Sequence, residues 1–172
     1  QARSGVPITF TDTRGTLNRG AFSGRQTANS TLSVDQIRDL VGVFEANGRI
    51  YFINPSVINT TGRASEGFIG TSSPNTAFNG QVFFNVPPGQ TGSLPRALID
   101  GPGYWNVNMA LLKDIRFTET LKVQLRAEAF NVFNNVNLQN NTQFANINAT
   151  TFGQITSAAA ARELQFAFRF EF

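Results

Sequence analysis

Residues 121–131 and 162–172 alternate apolar and polar side chains almost without a break, and this period of two constrains the chain more than any other feature. In the first segment Leu121, Val123, Leu125, Ala127 and Ala129 alternate with Lys122, Gln124, Arg126 and Glu128. In the second, Leu164, Phe166, Phe168, Phe170 and Phe172 alternate with Glu163, Gln165, Ala167, Arg169 and Glu171. Successive side chains of an extended strand point to opposite faces, so each segment has one apolar and one polar face. A weaker version starts at Tyr104, where Trp105, Val107, Met109 and Leu111 alternate with Asn106, Asn108, Ala110 and Leu112. The pattern predicts an all-β fold with antiparallel strands over about 104–114, 121–131 and 162–172.

The apolar face must be covered by protein or by lipid. A soluble antiparallel sheet, with one face on a core and one in water, accounts for the alternation alone. Three further features favour a transmembrane β-barrel. Each of the two clean segments holds eleven residues. At about 3.3 Å per residue they reach about 36 Å, and a tilt of about 45° brings this near 25 Å, the height of a barrel's apolar band. Aromatic residues fall at the strand ends, Phe117 and Phe172 at one end and Trp105, Phe130 and Phe133 at the other, as interfacial girdles would. Connections also alternate between short (112–120) and long (13–103 and 132–161), like periplasmic turns and extracellular loops. A barrel that ends in the periplasm then has 162–172 running down, 121–131 up and 104–114 down, with both long connections outside the cell. Lys113 breaks the alternation near the periplasmic end, where a long side chain can snorkel.

Composition excludes much chemistry. The chain has 172 residues with no Cys and no His, so disulfides, Cys/His zinc sites, thiol nucleophiles and Ser-His-Asp triads are absent from it. Charged residues make up only 15%, while seventeen residues are Phe. The arginines are scattered from Arg3 to Arg169 without the clustered basic face of a nucleic-acid binder. No apolar run is long enough for a membrane helix, and no signal-peptide core opens the chain. No metal or cofactor is expected. The chain opens on Gln1 rather than Met and is read as a piece of something longer.

Upstream of the strands, residues 1–12 read as the end of a preceding strand, with 13–103 as a long loop region rich in Gly, Ser, Thr, Asn and Pro. Within it Ser33 opens a helix over 33–46: Val34, Ile37, Leu40, Val41 and Phe44 recur at helical spacing, and Ser33 with Gln36 fits a capping box. Asn47-Gly48 offers a competing reading, a hairpin turn between VGVFEA and RIYFI. The helix is favoured because capping and period agree. The stretch 54–103 is too long to be an ordinary irregular connection inside a compact domain.

The same residues carry a family resemblance. Arg126-Ala-Glu-Ala-Phe-Asn-Val-Phe-Asn134 resembles the penultimate strand of TonB-dependent outer-membrane receptors, in particular the Oar-like group with a carboxypeptidase-regulatory-like domain. Gly101-Pro-Gly103 leading into Asn106–Lys113 is similar to their preceding strand, and Phe152–Ser157 followed by Arg162–Phe172 to their closing one. SGVP at 4–7 resembles the exit of the strand before, whereas 13–100 departs in length and sequence. The resemblance implies the C-terminal part of a transporter of the bacterial outer membrane. Ligand would bind at the extracellular face, and energy delivered through the TonB complex would release a plug domain. The implied partners are the rest of the barrel and its plug, TonB, outer-membrane lipid, and the barrel-assembly machinery. Phe168, Phe170 and Phe172 resemble the terminal signal that this machinery reads.

Lys122, Gln124, Arg126, Glu128, Glu163, Gln165, Arg169 and Glu171 are expected to face the lumen, as wall structure before any substrate-guiding role. Tyr51, Phe52, Phe83 and Phe84 are candidates for stacking on a ligand, or for local clusters that hold the loop together. Asp35, Asp39 and Glu45 read as a solvated helix face. Asn134, Asn135, Asn137, Asn140 and Asn141 lack the neighbouring carboxylates that a tight calcium site wants. The ligand stays open between siderophore, oligosaccharide and peptide. Two other classes stay open as well: a soluble extracellular β-sandwich, either adhesin or carbohydrate-binding module, and an enzyme using paired carboxylates on sugars, although catalysis is not expected.

Overall fold

The computed structural model describes residues 1–14, 26–66, 77–139 and 144–172. Within them the chain divides into two compact units. One comprises Gln1–Arg3, Gly103–Leu138 and Ala158–Phe172, and the other the described parts of Ser4–Pro102 with Gln139–Ser157.

The first unit is built on a three-stranded antiparallel sheet, ordered Met109–Arg116, Lys122–Phe130, Glu163–Glu171. Its register sorts most side chains by face, with Lys113 on the apolar side and Leu112 and Phe130 on the polar side as exceptions. Val123 lies opposite Ile115 and Phe170, Leu125 opposite Phe168, and Ala127 opposite Leu111 and Phe166. On the other face Lys122 lies opposite Arg116 and Glu171, and Gln124 opposite Asp114 and Arg169. Directly opposed residues share a face, so a slip of one residue would put every charge among the phenylalanines. The sheet is not closed, and the outer edges belong to Met109–Arg116 and Glu163–Glu171.

The apolar face of this sheet is exposed among the described residues. Leu111 and Phe166 are each 70% exposed, and Met109, Leu164, Phe168 and Phe170 are exposed with them. A contiguous apolar surface of this kind marks an interaction with membrane or protein.

The strand expected over 104–114 is broken and displaced. Tyr104–Trp105 pairs with Ala2–Arg3, and the ladder with Lys122–Phe130 begins only at Met109 and runs on to Arg116. Between the two ladders Asn106 N donates to the Gln1 carbonyl, and the Asn108 side chain accepts from Asn131 N at 3.1 Å. At the far end Phe117 N donates to the Leu121 carbonyl at 2.9 Å and closes a tight turn, so the short connection is 117–121. Lys113, on the apolar face opposite Leu125, sits three residue pairs from that end. Phe130 also departs from expectation: opposite Glu163, it stands on the polar face and not in an outer girdle. Trp105 and Phe133 do meet, with ring centroids 5.2 Å apart.

The second unit gives the long connections a core of their own. Phe10, Phe83 and Phe152 form a triangle with centroid separations of 4.9, 5.5 and 5.8 Å, and all three are fully buried. Ile37, Ile53, Val86 and Ile147 are buried as well. Two-residue ladders stitch the segments around this core: Pro7–Ile8 with Ile99–Asp100, Thr11–Asp12 with Gln26–Thr27, and Asn29–Ser30 with Phe83–Phe84. The length of 54–103 is explained by this folding, as far as its described residues go.

Helix and hairpin both occur in the 33–53 segment, in succession. The helix is Val34–Asp39, with the capping box of Ser33 and Gln36 formed in both directions and Ile37 buried. It stops well short of residue 46 because the Leu40 carbonyl accepts from Asn54 N at 2.8 Å and the chain turns into strand. Val41–Ala46 then pairs with Arg49–Ile53. Asn47 (φ 53°) and Gly48 (φ 69°) supply the two positive φ angles of a type I′ turn.

Candidate functional site

Three polar constellations stand out, two of them in the second unit. The first is a cleft of about 910 Å³ between the hairpin tip, the 55–62 loop and residues 150–156. Arg49, Tyr51 and Gln154 line one side, and Asn59, Thr61 and Thr151 the other. Register explains the choice: Tyr51 lies opposite Phe44 and Gln154, and Arg49 opposite Ala46, so Arg49, Tyr51 and Gln154 share one face. Glu45, Ile50 and Ile155 take the opposite face of the same small sheet. The far wall is held by local bonds. Asn59 Oδ1 accepts from Thr61 N at 3.0 Å, Thr61 Oγ1 at 2.8 Å and Arg63 N at 2.9 Å. Gly62 has φ +85° and packs so closely on Thr150 that a Cβ there would collide with the Thr150 carbonyl.

The second constellation centres on Asp12, a fully buried carboxylate. It accepts from Val86 N at 2.7 Å, from Asn148 Nδ2 at 3.1 Å and from Gln26 Nε2 at 3.4 Å, and pairs with Arg14 at 3.0 Å. Four separate stretches of chain are thereby tied to one side chain. This is a structural hub: its oxygens are already occupied by fixed donors. Sequence reasoning passed over Asp12, because its partners at 86 and 148 are remote in the chain and leave no local signal.

The third is the polar face of the three-stranded sheet. Lys122 Nζ stands 3.8 Å from Asp114 and 3.6 Å from Glu171, bridging all three strands, and Glu171 also meets Arg169 at 3.1 Å. Gln124 Nε2 donates to Asp114 at 2.9 Å, and Arg126 pairs with Glu128 along its own strand. All eight residues expected on one face (Lys122, Gln124, Arg126, Glu128, Glu163, Gln165, Arg169 and Glu171) do share it. Arg126 with Glu128 and Arg169 with Glu171 pair within single strands, whereas Lys122 pairs across them with Asp114 and Glu171. Exposed pairs of this type contribute at most about 1 kcal/mol each, so they order the wall more than they stabilise it.

The aromatic candidates are mostly core. Phe83 is completely buried in the Phe triangle, and Phe52 packs on Phe144 with centroids 6.1 Å apart. Neither presents a ring face to a ligand. Phe84 is half-buried, and Tyr51 alone of the four lines the cleft, with 9% of its surface exposed. Asp35 and Asp39 are exposed on the helix, with Asp35 paired to Arg38, whereas Glu45 belongs to a strand. Phe168 and Phe170 lie on the apolar face, and Phe172 is 98% exposed.

The asparagine-rich stretch is a knot at the end of the strands. Asn131, buried at φ 52°, donates through Nδ2 to the Asn135 carbonyl at 3.0 Å and accepts from Asn135 N at 3.0 Å. Asn137 Oδ1 accepts from Trp105 N at 2.7 Å, and Asn134 Oδ1 from Arg162 N at 3.1 Å. Their carbonyl oxygens are thus committed to backbone donors. Asn140 and Asn141 lie outside the described residues. Among the described residues no group of three or more His, Cys, Asp or Glu is placed to hold a metal. We expect Asn131→Ala to lower stability by about 1–3 kcal/mol, the cost of orphaned buried groups. Asn131→Gly, which keeps the left-handed backbone accessible but loses the same bonds, should recover only part of this in a urea melt of the detergent-solubilised protein.

An open sheet with one lipid-compatible face and one charged face, joined to a folded loop unit, is the architecture of an outer-membrane barrel wall. A family model described as an outer membrane beta barrel domain matches residues 1–165, and the chain belongs to that family. Its location is the bacterial outer membrane, and its strands are wall strands of a barrel that these residues do not close. This membership decides against the soluble β-sandwich. No curated protein and no solved structure matches the chain.

Proposed function

We propose that the chain supplies wall strands and an extracellular loop unit to a TonB-dependent transporter that takes up a ligand through the outer membrane. The observation that carries this reading is the second unit, in which two connections between wall strands share a buried core and a cleft. Outer-membrane barrels keep their turns short on the periplasmic side and their loops long outside, and binding residues concentrate on loops held by a rigid scaffold. A wall built only to enclose a pore has no need of such a unit. The resemblance of 101–172 to the closing strands of TonB-dependent receptors points the same way.

On this reading the work is transport, without bond-making or bond-breaking chemistry by these residues. The apolar row from Leu164 to Phe170 faces lipid, and the row from Lys122 to Glu128 faces the lumen. Ligand captured outside would pass the charged wall when TonB displaces the plug, which together with the TonB-contacting segment belongs to other parts of the protein. The intact receptor, solubilised from outer membranes, should be retained on an immobilised periplasmic domain of TonB. Passage into the flow-through, with the barrel folded, would overturn the assignment.

A further inference from the structure

We propose that the cleft between the hairpin tip and the 59–62 loop binds an acidic oligosaccharide, with Arg49 meeting its carboxylate; the proposal rests on the reading of this unit as the ligand-capturing part of a transporter. The lining is polar on both sides: hydroxyls from Thr60, Thr150 and Thr151 and the amide of Gln154 face the space, while Asn59 and Thr61 are spent on the turn that shapes it. A threonine hydroxyl both donates and accepts, and so does each amide side chain, which suits a ligand whose own hydroxyls do the same. Pockets for apolar ligands are lined mainly by aliphatic and aromatic groups, and this one is not.

Charge narrows the class further. Among the described residues no carboxylate lines the cleft, and Arg49 is the one charged side chain that does. Glu45, the acidic residue of the hairpin, is turned to the opposite face by the register. The Glu66 carboxylate outside the lining accepts from Asn59 Nδ2 at 3.1 Å, and Arg49 makes no ion pair among the described residues. Arg49 therefore offers a planar donor fork of the kind that meets a carboxylate in a bidentate pair. A phosphate-rich ligand would call for an arginine cluster, and a cation for carboxylates, and among the described residues the lining has neither.

The walls are set before any ligand arrives. The three bonds to Asn59 Oδ1 fix the 59–63 turn, Arg63 Nε ties it to the Asn148 carbonyl at 2.9 Å, and Gly62 seats it on Thr150. Preorganised walls reduce the ordering cost that weakens binding to mobile loops. A volume of about 910 Å³ lies near the upper end of small-ligand sites, large enough for several linked sugar rings.

Titration calorimetry on the intact, detergent-solubilised protein tests this without TonB, so its outcome is independent of the retention experiment. The probes are a galacturonic acid tetramer and the same tetramer with its carboxylates methyl-esterified, which removes the charge and keeps the hydroxyls. The acid should bind at least about tenfold more tightly than the ester, as expected for loss of a charge-assisted pair. Arg49→Gln, an exposed substitution that leaves the core untouched, should erase that preference while retaining the ester's affinity. Thr151→Val should weaken both probes alike. Equal affinity for acid and ester, an unchanged preference in Arg49→Gln, or no binding of either probe would each overturn the proposal. Binding together with failure of TonB retention would uphold the cleft and overturn the transporter assignment.

Discussion

Phe166→Arg is expected to abolish most folded barrel, while Ala167→Arg, one residue along, is expected to leave it intact. The two positions belong to the same strand and have ordinary extended neighbours. They differ in face: Phe166 lies opposite Ala127 on the apolar side, and Ala167 opposite Arg126 on the charged side. An arginine on the lipid face costs about 2–4 kcal/mol near the bilayer midplane, whereas a lumen-facing charge keeps its water. That penalty is comparable to a good part of a domain's total stability of about 5–15 kcal/mol. Heat-modifiable mobility of the outer-membrane protein on gels reads the folded fraction directly. Equal tolerance of both substitutions would mean that the apolar row does not face lipid.

The second large effect falls on the loop unit. Asp12→Ala should destabilise it by about 3–5 kcal/mol, the usual cost of leaving one partner of a buried ion pair uncompensated. The loss includes the Arg14 pair, the bond from Val86 N and the bond from Asn148, all inside a fully buried site. Barrel strands do not depend on this hub, so the predicted phenotype is selective. Protease added to intact cells should cut within residues 4–102 in the variant and spare them in the parent. Heat-modifiable barrel should be present in both. Asp12→Asn, which can still accept from the backbone but cannot neutralise Arg14, should fall between the two.

The strands were the most legible part of the molecule because their information is local. The alternation from Leu121 to Ala129 and from Glu163 to Phe172 needs no partner to be read, and the register pairs the two rows as the chemistry demands. Where the local pattern is ambiguous, it constrains the strand less. Leu111-Leu112-Lys113 breaks the alternation, yet the strand continues to Arg116 because Asp114 meets Gln124 and Lys122, and Ile115 lies opposite Val123. At 33–53 two local signals competed, and each governs its own part: the capping box starts a short helix, and Asn47-Gly48 turns a hairpin that ends it.

The loop unit was poorly legible for the opposite reason. Phe10, Phe83 and Phe152 are far apart in the chain and meet only on folding, so nothing in FF at 83–84 distinguishes a core ring from an exposed one. Asp12 similarly leaves no local signal, since its donors at 86 and 148 come from remote segments. The cleft shares this property. Tyr51 was singled out for its ring, but Arg49 and the threonines that surround it carry no motif and are joined only by the hairpin register and the turn at Asn59.

That the apolar row of the last strand faces lipid can be measured residue by residue, because the chain contains no cysteine to interfere with labelling. Single cysteines at 164 to 170, spin-labelled in the membrane-embedded protein, can be tested for collision with dissolved oxygen and with a water-soluble nickel chelate. We predict that labels at 164, 166, 168 and 170 collide with oxygen and those at 165, 167 and 169 with nickel, in strict alternation. Uniform access of nickel to all seven, or an inverted alternation, would contradict the barrel-wall account.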